Sequence, residues 1–137
     1  MERIKIFRYA IVLILLNFST TVLAQETIEK PIGNFKILKV FDFMEASLIP
    51  STENKIVISG SNPEDVNIVQ SGNTLKVRMN LKKSFKGSNI EVKIYYTAIE
   101  LIDANEGCII TANNTIKTDR LELRTQEGAT IDAKVEV

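Results

Sequence analysis

Hydrophobic and polar residues alternate with a period of two in five short stretches of the chain. They are "KIVIS" (Lys55–Ser59), "VNIV" (Val66–Val69), "LKVRMNL" (Leu75–Leu81), "IEVKIYYTA" (Ile90–Ala98) and "LELRT" (Leu121–Thr125). That period places apolar side chains on one face of an extended backbone and predicts half-buried strands. Between them, "GSNPED" (Gly60–Asp65), "SGN" (Ser71–Asn73) and "KGSN" (Lys86–Asn89) carry turn chemistry. The "SGN" element is short enough to fold Val66–Val69 back on Leu75–Leu81 as a hairpin. No segment after residue 25 sustains a helical period, so the expected class is all-β, with a hairpin and meander part over residues 35–98.

The last third of the chain repeats itself. "EGCIITA" (Glu106–Ala112) returns as "EGATIDA" (Glu127–Ala133), with Gly107 to Gly128, Ile110 to Ile131 and Ala112 to Ala133 at one offset of 21 residues. Self-similarity at a fixed period near 20 residues is the pattern of a solenoid whose repeats are coils. Parity agrees: Cys108, Ile110 and Ala112 share one strand face, and Ala129, Ile131 and Ala133 share the same face one coil later. Stacked, they form inward columns, while Ile109/Thr130 and Thr111/Asp132 point outward. Leu101 and Leu123 match at an offset of 22, which implies an extra residue at the Asn105 corner; Ile116 and Val137 align again at 21. Gly107 and Gly128 are the expected corner residues, where a positive φ costs glycine little. The expectation is a right-handed single-stranded parallel β-helix over residues 99–137. Its second coil stops partway round at Val137, so the helix is expected to be incomplete there.

The N-terminal residues change the picture of what enters the core. "MERIKIFRYAIVLILLNFSTTVLAQ" opens with Arg3, Lys5 and Arg8, runs apolar through Ala10–Leu16 and ends on small residues. This is the order of a secretory signal peptide over residues 1–24, with the domain beginning at residue 25. The apolar run falls short of the roughly 20 residues of a spanning helix, so no membrane span is expected after cleavage. Export places the protein in the periplasm, on the outer-membrane surface or outside the cell. The formal net charge is zero, and interspersed charges leave no footprint for nucleic acid. Cys108 is the single cysteine and has no partner within the chain, so stability has to come from packing.

The order of these stretches resembles the bacterial family of the putative auto-transporter adhesin, head GIN domain. The residues that carry the resemblance are "FKILKV" (Phe35–Val40), "IVISGSNPEDVNIV" (Ile56–Val69), "GNTLKV" (Gly72–Val77), "IEVKIYYTAIELI" (Ile90–Ile102) and the two "EG" coils. The match covers essentially the whole chain after the signal segment. The Gly-Ile-Asn triplet that names the family is absent, and "GCI" and "GAT" stand in its place. The resemblance implies a single-stranded right-handed β-helix exported to the cell envelope, with an adhesin-like role.

Candidate chemistry is sparse. The sequence has no histidine, which excludes the Ser-His-Asp arrangement and imidazole metal sites. The inward parity of Cys108 makes it a small hydrophobe rather than a nucleophile. No catalytic residue and no cofactor are expected. Candidate binding residues are Tyr95 and Tyr96, adjacent on a strand so that one faces the core and one faces out, and the basic loop Lys82, Lys83 and Lys86 around Phe85. The expected role is non-enzymatic binding of a glycan or an envelope protein, with self-association through the open coil edge at Val135–Val137. The alternative is a carbohydrate-active β-helix enzyme working through outer carboxylates such as Glu106 and Glu127.

Overall fold

The structure is a computed structural model that describes residues 26–80 and 89–137. The expected signal peptide and the loop lysines Lys82, Lys83 and Lys86 lie outside the described residues. Eleven strands are described: β1 (Thr27–Pro31), β2 (Ile37–Val40), β3 (Glu45–Pro50), β4 (Lys55–Gly60), β5 (Val66–Ser71), β6 (Thr74–Met79), β7 (Ile90–Tyr96), β8 (Leu101–Ala104), β9 (Ile109–Lys117), β10 (Glu122–Thr125) and β11 (Thr130–Glu136). The alternating stretches at 55–59, 66–69, 75–81, 90–98 and 121–125 correspond to β4, β5, β6, β7 and β10. Their burial alternates as the period requires: in β7, Ile90, Val92, Ile94 and Tyr96 are buried, and Glu91 and Lys93 are exposed.

These strands form two mixed sheets, and the expected single-stranded β-helix is not what the chain builds. The six-stranded sheet has the order β1-β4-β7-β3-β9-β11 and the five-stranded sheet the order β10-β8-β2-β6-β5. Three pairs are antiparallel, β1–β4, β4–β7 and β5–β6. The other six are parallel. A β-helix stacks each coil on the preceding coil in chain order. Here β2 lies between β6 and β8, and β3 lies between β7 and β9. The meander expected over 35–98 fails for the same reason. Only β5 and β6 pair as consecutive strands, through the Gly72-Asn73 turn of the expected hairpin.

What carries the chain from one sheet to the other is a tight turn used three times. Phe41–Met44 links β2 to β3, Asn105–Cys108 links β8 to β9, and Gln126–Ala129 links β10 to β11. Each step leaves the five-stranded sheet and enters the six-stranded one, so consecutive strands become neighbours across the core rather than within a sheet. The 21-residue repeat is therefore the last two of three stacked strand–turn–strand units. Within them Ile110 pairs with Ile131 and Ala112 with Ala133. Leu101 pairs with Glu122 and Ile102 with Leu123, so the offset is 21 on both sides of the turn and no residue is inserted at Asn105. Ile116 pairs with Val135, not Val137, because the register shifts beyond Ala133.

One apolar cluster joins the sheets. Leu38, Val40, Leu75, Val77 and Ile102 come from the five-stranded sheet, and Ala46, Leu48, Ile56, Ile58, Val92, Ile94 and Ile110 from the six-stranded one. Parallel strands buried between neighbours tolerate β-branched side chains well. The cluster thins toward the last unit. Every residue of β10 is exposed, Leu123 is 47% exposed, and Ile131 and Ala133 only pack against its margin. At the far end, Gln70 of β5 accepts from the Gly33 N–H at 2.9 Å and donates to the Asn34 carbonyl at 3.1 Å.

Candidate functional site

The three turns stack and bring three acidic side chains together. In each, both central residues have positive φ: Asp42 and Phe43 at 63° and 59°, Glu106 and Gly107 at 50° and 67°, Glu127 and Gly128 at 55° and 76°. Positive φ at both central positions suits the right-handed twist of the flanking strands, and glycine at the second relieves the steric cost. Backbone hydrogen bonds tie each turn to the next. Phe43 N–H donates to the Glu106 carbonyl at 2.9 Å and Gly107 N–H to the Glu127 carbonyl at 3.0 Å. Gly107 and Gly128 lie in turns between the two sheets rather than at β-helix corners, and Gly107 has a second constraint. A Cβ on it would come within 2.5 Å of the Phe43 ring, which lies over it, whereas a Cβ on Gly128 would meet nothing.

The first central position of all three turns is acidic. Asp42 is buried, and its Oδ2 accepts from the Met79 N–H at 2.8 Å, which satisfies the end of β6. Glu106 shares a hydrogen bond with the Asp42 carboxyl, and that bond is the chief reason its pKa rises to about 7. Partial burial and the charges of Asp42 and Glu127 push the same way, and Arg78 opposes them. Below these carboxylates, Asn105 Nδ2 donates to Asp103 Oδ1 at 3.0 Å, so the buried Asp103 is held by its own turn. Among the described residues no group of three or more His, Cys, Asp or Glu side chains is placed to hold a metal ion.

The remaining candidates are dispersed. Tyr96 is buried, and burial raises its pKa. Tyr95 faces out beside Lys55, whose Nζ sits 4.7 Å from the ring centroid. The tyrosines belong to β7, in the six-stranded sheet, and the structure does not bring them to the stacked turns. Cys108 is fully buried, its Sγ donates to the Val40 carbonyl at 3.4 Å, and burial pushes its pKa up to about 11. Such a thiol is protonated and inert.

Two features escaped the sequence reading. The first is the Asp42-Phe43 turn, which has no glycine; its signal was the acid in "LKVFDFMEASL" at the place held by Glu106 in "IDANEGCIITA". The second is a row across the outer face of the five-stranded sheet. There Arg124 pairs with Asp103, Asp103 with Lys39, Lys39 with Lys76, and Lys76 with Val69. Each of those pairings joins strands far apart in sequence or on a hairpin's outer face, and no local pattern announces the row.

Several solved structures share this fold. A putative adhesin from Bacteroides fragilis superposes with a TM-score of 0.72 at 14% identity, covering 83% of this chain and 56% of that one. A putative adhesin from Parabacteroides merdae gives 0.60 at 20% identity over 76% of this chain and 45% of that one. A putative lipid binding protein from Parabacteroides distasonis gives 0.64 at 14% identity over 76% and 47%. At such identities the likeness is one of fold, and this chain spans about half the length of each of these proteins. Among proteins with curated descriptions none matches the sequence. The overall fold thus recurs in solved bacterial structures, and a family model extends over residues 34–137, from just before the buried Phe35 through β11: the chain belongs to the family Putative auto-transporter adhesin, head GIN domain.

Proposed function

We propose that this protein is an exported, non-enzymatic binding module of the bacterial cell envelope, with an adhesin-like role toward a glycan or another envelope protein. The observation that carries this reading is membership of the adhesin family across residues 34–137. The N-terminal order of basic, apolar and small residues supports export. The frame also suits the role, since two sheets packed around one core leave their outer faces free to meet a partner. The test is a glycan array together with pull-down from envelope extracts, using the purified protein. Saturable binding without turnover supports the reading. Blank arrays and pull-downs overturn it, as does turnover of an acidic polysaccharide that is lost in Glu106→Gln or Glu127→Gln, which would make the protein a carbohydrate-active enzyme.

A second role, self-association, is favoured by the open edges of the last unit. Strands β10 and β11 end their sheets side by side, with Leu123 47% exposed between them. Unpaired ladder groups beside apolar side chains are the usual template for adding another strand.

A further inference from the structure

The outer face of the five-stranded sheet carries a shallow depression of about 270 Å³ lined by Lys39, Val69, Ser71, Thr74 and Lys76. We propose that this depression is a binding site for the carboxylate or sulfate groups of an acidic polysaccharide. The assignment names a site and a ligand class within the binding role proposed above, and it rests on that role.

The two lysines define the chemistry. Lys39 of β2 and Lys76 of β6 are direct neighbours in a parallel register, so two positive charges stand side by side on one face. Like charges placed directly opposite each other across a strand pair cost stability. Neither lysine takes part in an ion pair, although five ion pairs form elsewhere among the described residues. Asp103 lies next to Lys39 on the other side, but it is buried and its hydrogen bond is to Asn105, with no ion pair to Lys39. An anion seated between the two ammonium groups relieves their repulsion and supplies the missing partner.

The other lining residues select among anions. Ser71 and Thr74 face each other across the β5–β6 hairpin, and their hydroxyls donate or accept as the ligand's own hydroxyls require. Val69 is 41% exposed at the wall and offers an apolar patch to the C–H face of a sugar ring. Lysine is a compact charge that tolerates varied approach directions, which suits an acidic group presented repeatedly along a flexible chain. Arg78, two residues beyond Lys76 on the same face of β6, extends the positive strip along the strand.

The experiment is biolayer interferometry with the full-length protein. The probes are a heparin octasaccharide, a galacturonate octamer, a neutral dextran octamer, inorganic sulfate and phosphatidylglycerol vesicles. The variant Lys39→Gln/Lys76→Gln is compared with a charge-matched control, Lys93→Gln/Lys134→Gln, on exposed positions of β7 and β11; thermal melts confirm that both fold. The expected result is binding of one or both acidic octamers that weakens with salt and falls by at least about tenfold in the Lys39/Lys76 variant but not in the control. Equal loss in both variants, or none in either, overturns the site. So does a sulfate affinity matching that of the octamers, or Lys39/Lys76-dependent binding to vesicles without binding to octamers, which would point to lipid. Dextran binding that survives the Lys39/Lys76 change, with no Lys39/Lys76-dependent binding of either acidic octamer, sinks the groove and leaves the wider binding role standing. Silence in every arm, joined to blank arrays, sinks both.

Discussion

At the scale of single residues, the stacked turns set two competing demands on the backbone. Positive φ favours glycine, yet only two of the three turns have glycine at the second position, and the third has Phe43. The Phe43 ring occupies the space that the missing side chain of Gly107 leaves. Gly107→Ala is expected to cost about 1–2 kcal/mol from its left-handed φ alone and a further increment from collision with the ring. Gly128→Ala carries the first part only. A double-mutant cycle by urea denaturation separates the parts: in a Phe43→Ala background, the cost of Gly107→Ala should fall to that of Gly128→Ala. The turn acids add a pH dependence. Glu106 has a pKa raised to about 7 by its bond to Asp42, above the ordinary carboxylate value it has when unfolded. Between those values the folded state holds more protons than the unfolded one, so this group's contribution is fully present at low pH and is lost as pH rises through about 7. The melting temperature should fall between pH 5 and 8, and Glu106→Gln should flatten that slope.

The strand–turn–strand unit is the element that organises the fold, and its three copies are not equivalent. In the middle unit Ile110 is fully buried, whereas its register partner Ile131 in the last unit is only partly covered. Ile110→Ala is expected to cost about 2–5 kcal/mol, as for other buried aliphatic truncations, and Ile131→Ala well under half of that, measured by chemical denaturation. Equal costs would mean that the last unit is packed as tightly as the middle one. Glu100 reinforces the join between units, bonding Lys36 at 3.0 Å and Arg120 at 3.3 Å. Much of this was legible in the sequence. Period-two alternation located five of the eleven described strands, and "EG" at a fixed offset located two turns and the pairing of Ile110 with Ile131. What stayed hidden depends on who pairs with whom over long separations. Alternation says which face of a strand is inner but not which strand lies beside it, so a local repeat extrapolates naturally to a helix of coils. The first unit escaped because Phe43 stands where glycine marks the other two, and because β2 reaches β8 across more than sixty residues of chain. The Lys39–Lys76 neighbourhood is hidden for the same reason: the two residues meet only through the β2–β6 register.

At the scale of the whole molecule, the two sheets end differently. Among the described residues β1, β5, β10 and β11 are the edge strands; the Gln70 side chain ties β5 to the Gly33–Asn34 segment, while every residue of β10 is exposed. A charged residue on an edge is a common guard against strand addition. Concentration-dependent association measured by light scattering is therefore expected to diminish in Leu123→Lys. A protein that stays monomeric at high concentration, or an unaltered profile in the variant, removes the edge as its cause.

The stacked turns also dictate how the molecule yields to load. Because β10 and β11 are hydrogen-bonded into their sheets only through β8 and β9, tension applied at Val137 meets the backbone bonds of the last unit a few at a time, as a zipper does. An optical-tweezers trace pulled from that end should show a small early rip of one unit before the main rupture, whereas a pull between β1 and β7 should load whole ladders together. The last unit is then the soft rung of the stack, and the middle unit the stiff one.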